Sequence, residues 1–201
     1  MKTFGCIDNV VPNYDKFIRD TSLYPFTKDK KHFYDTIDDY PYMQWRVGYD
    51  VPEHNHHLSL ESKSNLIFFN IIDENHPYRK IYYDFFNMLF TVRFNSFINK
   101  NYHINRIRVN LTNNIQSDTY LCPHIDLNNP HLTCTLMIGE SDGDHIIFNE
   151  RLDDNADKLT IANQYKHKPN RLVWNTGHYH CNYTPSYHYY RLVVNVVYEL
   201  H

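Results

Sequence analysis

The clearest pattern in the chain is an alternation of apolar and polar residues that begins shortly after residue 100. Ile107, Val109 and Leu111 occupy every second position, and Arg106 and Arg108 stand between and before them. Successive side chains of a β-strand point to opposite faces, so this alternation predicts a half-buried strand. The sequence therefore predicts that a β-rich region begins near the middle of the chain.

Further strands are predicted along the C-terminal half, each as a short apolar run bounded by turn residues. These runs are Leu132–Ile138, His145–Phe148, Arg171–Trp174 and Arg191–Tyr198. Several short strands separated by turns are typical of an all-β sandwich or barrel. Another apolar run, Leu66–Ile72, fits either a buried strand or a helical segment.

One long helix is predicted before these strands, from about Tyr78 to Ile98. Pro77 precedes it, and proline suits the first turn of a helix because no N–H is needed there. Apolar residues recur at steps of three and four, which gives the helix one apolar face that we expect to pack on the core. The members of that face are Tyr78, Tyr82, Phe85, Leu89 and Val92.

The sequence predicts less regular structure before this helix. A short strand is expected within Phe4–Val11 and a helix over Tyr14–Arg19, whereas Thr21–Leu60 is broken by prolines and indicates covering loops. At 201 residues the chain is long enough for one domain with a substantial core. We therefore predict a single, mainly β (α+β) domain, with residues 1–100 supplying strand, loops and helix, and 101–201 supplying the β core.

The amino-acid composition indicates which classes of binding partner to expect. Hydrophobic residues make up 42% of the chain and the net charge is −3, so we expect a globular protein without strong non-specific binding to nucleic acid. No apolar run approaches the roughly 20 residues that a membrane span needs. A small-molecule or peptide substrate fits best, and the composition gives no oligomeric state.

The cysteines show no metal-binding pair spacing, and Cys134 and Cys181 are interpreted as small core residues. The start of the chain has no stretch typical of a signal peptide, so we expect a cytoplasmic protein with reduced thiols. The abundance of Asn, Lys, Ile and Tyr suggests an AT-rich genome. One expectation is a viral source, in which case the protein would act in the host cytoplasm.

Candidate chemistry lies in two His-containing motifs. His124 and Asp126 are two residues apart, so in an extended segment both side chains point the same way. His180 stands in a second motif, Gly-His-Tyr-His, and the fold would have to bring it to the first. Two imidazoles and one carboxylate bind one face of an Fe(II) octahedron and leave three positions open. His178 lies two residues before His180 and remains a rival third ligand.

Arg191 opens the last predicted strand, where a buried guanidinium is costly unless it meets a negative partner. Its planar fork matches a carboxylate in two-point contact. The favoured hypothesis is that Arg191 binds the far carboxylate of a bound dicarboxylate. A structural ion pair with an Asp or Glu of the chain is the alternative.

The C-terminal half, from about Asn110 to Tyr198, resembles the double-stranded β-helix (jelly-roll) core of the Fe(II)- and 2-oxoglutarate-dependent dioxygenases, and is most similar to the prolyl-hydroxylase-like branch with its small phage members. The matching motifs are Pro-His-Ile-Asp at 123–126, Leu-Thr-Cys-Thr-Leu-Met-Ile at 132–138, Ser-Asp-Gly-Asp-His-Ile-Ile-Phe at 141–148, Pro-Asn-Arg-Leu-Val-Trp at 169–174 and His-Cys-Asn-Tyr-Thr-Pro at 180–185.

The resemblance implies a hydroxylase that uses O2 and releases succinate and CO2. It assigns His124, Asp126 and His180 to Fe(II), and Arg191 to the C5 carboxylate of 2-oxoglutarate. A second contact to 2-oxoglutarate falls to Asn110 or Tyr120, which align ambiguously. At the position of a family tyrosine this chain has Met137, so that contact must be absent or come from a group such as Thr135.

Two other functions remain open: a cupin-like metalloprotein without 2-oxoglutarate, and a non-catalytic β-sandwich that serves as a binding or virion module. Substrate choice would depend on the loops Thr21–Leu60 and Asp153–Lys168. Aromatic residues in the first of these loops are interpreted as a lid or as packing, without a decision between the two: Tyr40, Tyr42, Trp45 and Tyr49. The substrate itself is not predicted.

Overall fold

Two antiparallel sheets dominate the described part of this computed structural model, and the alternation in the sequence accounts for the long strand that begins shortly after residue 100. The structure describes residues 3–23, 46–49, 66–98, 100–113, 121–151, 154, 158–188 and 190–201. The covering-loop residues Tyr40, Tyr42 and Trp45 and the side chain of Tyr49 lie outside this description. The prediction of a mainly β fold with a jelly-roll core is confirmed.

The larger sheet has seven strands in the order β1-β8-β5-β10-β4-β3-β2. Its long central strands pair side by side, with Arg191 opposite Thr112 and Val193 opposite Asn110. The strand bounds are β1 Phe4–Asp8, β2 Arg46–Tyr49, β3 Leu66–Ile71, β4 Tyr102–Asn113, β5 His131–Ile138, β8 Arg171–Asn175 and β10 Tyr190–Leu200.

The smaller sheet has three strands in the order β7-β6-β9: β6 is His145–Arg151, β7 is Ile161–Tyr165 and β9 is His178–Asn182. An isolated bridge between His124 and His180 adds the Pro-His-Ile-Asp segment to its edge. Met137 and Val193 of the large sheet pack against Ile147 of the small sheet. The two sheets therefore face each other, as the two halves of a jelly roll do.

The main core lies on the other face of the large sheet. Helices α1 (Tyr14–Asp20) and α2 (Arg79–Leu89) contribute their buried side chains to it, and a π-helical turn at Phe90–Phe94 leads from α2 into α3 (Asn95–Ile98). Leu136 of β5 and Val194 of β10 are fully buried in this core. The central strands are thus covered by helices on one face, and the polar residues of their other face point towards the small sheet.

The π-helical turn corrects the predicted apolar face of the long helix. Val92 is 65% exposed, whereas Phe90 and Phe94 are fully buried. A π-turn places one extra residue in a helical turn and rotates all later positions relative to an α-helix. Phe94 consequently takes the place that the α-helical period assigned to Val92.

Two strands of the smaller sheet were not among the predicted elements. β7 (Ile161–Tyr165) falls inside Asp153–Lys168, which the sequence indicated as a loop, and β9 (His178–Asn182) contains the second histidine motif. Both strands are short and polar, so their local sequence does not predict a strand. They become strands by pairing with β6 on either side. Within the described residues, no helix combines the length and hydropathy needed to cross a bilayer.

Candidate active site

Alternation along three neighbouring strands collects polar side chains between the two sheets. Residues of one parity on β4, β5 and β10 enter the core under the helices, and residues of the other parity face the small sheet. The residues that face the small sheet line a cavity between the two sheets, which we name the central cavity. Its polar lining from these strands consists of Arg106, Arg108, Asn110, Thr112, Thr135, Arg191 and Asn195.

His124, Asp126 and His180 meet at this cavity, as the sequence predicted they would need to do. Their ligand atoms all lie within 4.8 Å of one another. The backbone explains the meeting, because His124 and His180 exchange two N–H···O bonds of 3.0 Å across the bridge. Asp126 follows two residues after His124 on the same side. The set offers two imidazoles and one carboxylate from two separate chain segments.

Both histidines have a defined ring orientation. His124 Nδ1 lies 3.1 Å from the Cys122 carbonyl oxygen, and His180 Nδ1 lies 3.1 Å from the His178 carbonyl oxygen. A carbonyl only accepts, so each Nδ1 carries the proton and donates. When the rings are neutral, Nε2 is then the nitrogen with a lone pair to offer a metal, which is the arrangement usual for histidine ligands.

Asp126 is held by two donors, one to each oxygen. Arg106 donates to Oδ1, and the Thr133 hydroxyl donates to Oδ2 at 2.6 Å. Burial acts to raise the pKa of this carboxyl, but the hydrogen bond from His180 and the nearby cations outweigh it and hold the pKa well below its usual range. Asp126 is therefore an oriented carboxylate.

The pKa of His180 shifts in the opposite direction to that of Asp126. Its Nε2 lies 3.4 Å from Asp126 Oδ2, and both side chains are almost fully buried. Burial acts to lower the pKa of His180, but the adjacent carboxylate outweighs it and raises the pKa above its ordinary value. A divalent cation between these groups would replace the proton that His180 otherwise attracts.

His178, the rival third ligand, has its ring elsewhere. Its Nδ1 donates to the Phe148 carbonyl at 2.9 Å, and its Nε2 lies 3.2 Å from Arg151 Nε and 3.0 Å from the Thr3 hydroxyl. Both ring nitrogens are thus used in contacts that tie β9 to β6 and to the first strand. Of the two histidines, the geometry brings His180 to Asp126.

Arg191 is 1% exposed and reaches the central cavity from the start of β10. Its Nε donates to the Gly143 carbonyl at 2.7 Å, and its buried Nη2 has no hydrogen-bond partner in the described part of the chain. Burial lowers the pKa of Arg191 to about 9, an effect that Asp144 partly offsets. The group is therefore still a cation at neutral pH, with a buried donor that lacks an acceptor.

Gly143 makes room for this arginine. A Cβ at position 143 would lie 2.7 Å from Arg191 Cδ and 2.7 Å from the Tyr183 carbonyl oxygen. Any side chain would therefore press on the stem of Arg191. No local pattern marks this glycine, because the steric need arises from Arg191 of β10, which lies far away along the chain.

Of the two residues predicted to make a second contact to 2-oxoglutarate, Asn110 is among the described residues. Asn110 lines the central cavity, and its buried Oδ1 has no hydrogen-bond partner in the described part of the chain. Tyr120 lies outside the described residues. Thr135 also lines the cavity, whereas Met137 is fully buried in the packing between the sheets. Met137 therefore offers the cavity no polar group, as the sequence predicted.

Sequence reasoning missed three side chains beside the candidate ligands His124, Asp126 and His180: Thr133, His145 and Asn182. The His145 ring stacks on His180 at 5.6 Å, and its Nδ1 lies 2.7 Å from Asn182 Oδ1. Burial is the largest of the effects that hold the pKa of His145 well below its usual range, so the ring is neutral. The available signal was positional, since His145 opens β6 on the cavity face.

Comparison by sequence gives no relative: no family model matches the chain, and no curated protein matches it. Comparison by structure gives a consistent fold. A 2OG-Fe(II) oxygenase family oxidoreductase from Burkholderia pseudomallei superposes with a TM-score of 0.53 at 12% identity, covering 94% of this chain and 91% of that one.

Two further solved structures show the range of this fold. A Trichoplax adhaerens prolyl hydroxylase, solved with a peptide fragment of hypoxia inducible factor, has a TM-score of 0.58 at 14% identity, covering 98% of this chain and 83% of its own. The epimerase SnoN, solved with Fe3+, alpha ketoglutarate and nogalamycin RO, has a TM-score of 0.55 at 8% identity, covering 98% and 78%.

The chain has the fold of the 2OG-Fe(II) oxygenases. The predicted resemblance is confirmed at this level. At these identities the likeness concerns the fold alone, and the function has to be argued from the side chains of the site.

Proposed function

We propose that the protein is an Fe(II)- and 2-oxoglutarate-dependent oxygenase that hydroxylates a small-molecule or peptide substrate. The observation that carries the proposal is the buried Arg191, which lines the same cavity as His124, Asp126 and His180 and whose Nη2 has no hydrogen-bond partner among the described residues. A metal-ligand set and a buried cation that requires an acid are the two features a metal-chelating dicarboxylate needs.

The residues fit Fe(II). Two imidazole Nε2 atoms and an oriented carboxylate form the ligand set that leaves positions open on non-haem iron. Thr133 and Arg106 donate to Asp126, and such outer contacts hold a ligand carboxylate in its binding orientation. His124, Asp126 and His180 are therefore the residues that would hold the metal.

The residues also fit 2-oxoglutarate. A buried donor without an acceptor costs about 1–3 kcal/mol, and more when it is charged, so a carboxylate at Arg191 would supply the acceptor that Nη2 does not find within the described ranges. Asn110 would add a polar contact from the adjacent strand, and Tyr120 stays a candidate from the sequence alone. Arg191 would thus bind the C5 carboxylate and set the direction of the cosubstrate.

Fe(II), 2-oxoglutarate and O2 together supply the oxidising chemistry, in which 2-oxoglutarate leaves as succinate and CO2 while the substrate gains a hydroxyl. The protein contributes position and exclusion of water. The large sheet supplies Arg191 and the small sheet supplies His180, so the fold fixes the distance between cosubstrate anchor and metal.

Several narrower expectations remain predictions. The structures with this fold include one solved with a peptide and one solved with nogalamycin RO, so both peptides and small molecules are retained as substrate classes. A cytoplasmic location and a viral source rest on the sequence alone. We also infer one domain over 1–201, because strands from both ends of the chain lie in the same large sheet.

The test is an anaerobic titration of the metal-free protein with Fe(II) and then 2-oxoglutarate. A 2-keto acid chelated to Fe(II) is expected to give a weak visible charge-transfer band. We expect the band in the wild type, its loss in His124→Ala because the metal ligand is gone, and a much weaker 2-oxoglutarate affinity in Arg191→Ala.

Arg93→Ala is the matched control, since Arg93 is an exposed arginine on the π-helical turn. It should give the wild-type band. Iron binding without a band would support a cupin-like metalloprotein instead, and failure to bind metal at all would support a non-catalytic binding module. Circular dichroism of each variant shows whether a loss of signal reflects the site or the fold.

A further inference from the structure

A second cavity, with a volume of about 300 Å³, borders the segment that carries His124 and Asp126. Ile125 and Leu127 line this second cavity, whereas His124 and Asp126 line the central cavity. Neighbouring side chains of an extended segment point to opposite sides, which explains how one segment serves both cavities. No residue of the described chain lines both of them.

The ends of several strands complete the second cavity. His131 begins β5, Arg151 ends β6 and Leu200 ends β10, and Thr176 and Gly177 form the turn between β8 and β9. The two chain segments that carry the candidate ligand histidines therefore border this cavity, but they do so through residues other than the candidate ligands.

The lining combines an apolar wall with polar groups. Ile125, Leu127, Pro130 and Leu200 supply the apolar side chains. A volume of about 300 Å³ lies at the lower end of the range for pockets that bind small molecules, and such pockets join an apolar lining to a few polar groups. The second cavity therefore has the size and the lining for a ligand with a short hydrocarbon body.

The charged side chains of the described lining are Arg151 and Lys100, and no Asp or Glu stands among its residues. Arg151 Nε lies 3.2 Å from His178 Nε2, and Arg151 Nη2 donates to the Thr176 hydroxyl at 3.0 Å. These two contacts orient the guanidinium and leave Nη1 outside them. A side chain that is already held in place loses less conformational freedom when a ligand binds to it.

Two carboxylates lie close to this lining, and each has another contact. Asp154 accepts from the backbone N–H of Arg151 at 2.6 Å, and Glu199 accepts from the amide of Asn129 at 2.9 Å. The ion pairs within the described ranges include none between these carboxylates and either Arg151 or Lys100. An anionic ligand would supply a counter-charge to both cations.

We propose that the second cavity is a binding site for an organic carboxylate with a short apolar body. Arg151 and Lys100 bind the carboxylate, and the apolar wall contacts the hydrocarbon. A guanidinium and a carboxylate form charge-assisted hydrogen bonds, which are stronger than neutral ones. The site does not depend on the proposed function, because none of the residues proposed for Fe(II) or 2-oxoglutarate lines it.

Methyl NMR of the metal-free full chain, labelled at Ile, Leu and Val methyl groups, tests this site. Sodium hexanoate is titrated beside hexan-1-ol, which lacks the charge, and sodium acetate, which lacks the hydrocarbon chain, all at one ionic strength. Ile125 and Leu127 report on the second cavity, and Val193 reports on the central cavity. We expect hexanoate to shift the Ile125 and Leu127 signals saturably, with an affinity about tenfold or more above those of hexanol and acetate.

Arg151→Gln should weaken hexanoate binding about tenfold or more, because a charge-assisted contact is lost. This change also removes the contacts to His178 and Thr176, so Lys100→Gln, at an exposed position, is the second variant. It should weaken binding about threefold, since exposed charges contribute less. Lys166→Gln is the matched control: Lys166 is exposed and does not line the cavity, so hexanoate affinity should stay at the wild-type value.

Three results would overturn the proposal. The first is no saturable shift at Ile125 and Leu127, or an equal affinity for hexanol or acetate. The second is wild-type hexanoate affinity in both Arg151→Gln and Lys100→Gln. The third is a shift at Val193 alone, which would place the acid in the central cavity. The titration contains neither Fe(II) nor 2-oxoglutarate, so each of these results leaves the oxygenase function to be decided by the charge-transfer titration.

Discussion

Replacing Gly143 by alanine adds one methyl group at the point where Arg191 passes between the sheets. The new Cβ would lie 2.7 Å from Arg191 Cδ, whereas ordinary van der Waals contact begins near 3.4 Å. Gly143 does not adopt a positive φ, so alanine meets no backbone penalty there. The perturbation is therefore a push of about 0.7 Å on the arginine stem, against a Tyr183 carbonyl that is equally close.

Two magnitudes follow. Overpacking a filled interior costs about 1–3 kcal/mol, which sets the expected loss of unfolding free energy. Displacing the guanidinium should weaken the proposed charge-assisted contact with the C5 carboxylate, and contacts of this kind are worth about 1.5–3 kcal/mol. Since 1.4 kcal/mol is tenfold in affinity, the dissociation constant of 2-oxoglutarate should rise by about 10- to 100-fold. Iron affinity should hardly change, because the metal ligands are elsewhere.

The assay is the anaerobic charge-transfer titration, with urea unfolding of the same samples. Gly177→Ala is the matched control: Gly177 has a φ of 72°, so alanine there is strained, but its new Cβ meets only His131 at 3.7 Å. We expect Gly177→Ala to lose stability and keep its affinity for 2-oxoglutarate. Wild-type affinity in a folded Gly143→Ala protein would refute the role given to Arg191.

Three other predictions concern the metal ligands and one buried histidine. Thr133→Val removes a donor to Asp126 and should weaken Fe(II) binding by about 10-fold or more in a metal competition titration, whereas unchanged affinity would exclude Thr133 as a support of the ligand. His180→Ala should abolish the charge-transfer band, whereas His178→Gln should keep it and lose about 1–3 kcal/mol of stability from its contacts; the reverse result would make His178 the ligand. Burial lowers the pKa of His167 to about 3 in the folded protein. As the pH falls below 6.5, this histidine therefore takes up a proton in the unfolded chain before it does so in the folded protein. The free energy of unfolding should consequently decrease as the pH falls from 6.5 towards 3. The loss is on the order of 5 kcal/mol at about 1.4 kcal/mol per pKa unit. Urea unfolding at several pH values should show a flatter profile for His167→Gln, and an identical profile would argue against this origin.

Much of the fold could be predicted because it depends on short-range pattern. The alternation through Ile107, Val109 and Leu111 specifies a strand with one face in the core, and that face is fully buried in the structure. β7 and β9 escaped prediction because polar strands of five residues carry no such alternation, and only their pairing with β6 defines them. Val92 was placed wrongly because the π-helical turn breaks the helical period.

The candidate site divides in the same way. The spacing of His124 and Asp126 is local, so the sequence alone places both on one side of an extended segment. Whether His178 or His180 joins them depends on which residue of β9 faces the bridge, and that depends on strand pairing. The closeness of Gly143 to Arg191 is likewise a contact between distant segments, which no local pattern records.

By itself, the sequence determined the mainly β fold, the residues able to bind a metal and the presence of an arginine that needs an acid, because each of these follows from residue type and local spacing. Only the tertiary structure decided that His180 and not His178 meets Asp126, that the buried Nη2 of Arg191 finds no acceptor in the part of the chain that the structure describes, and that Arg106 and Arg108 face the same cavity. Register and burial are properties of paired and packed strands, and they exist only once the sheets have formed.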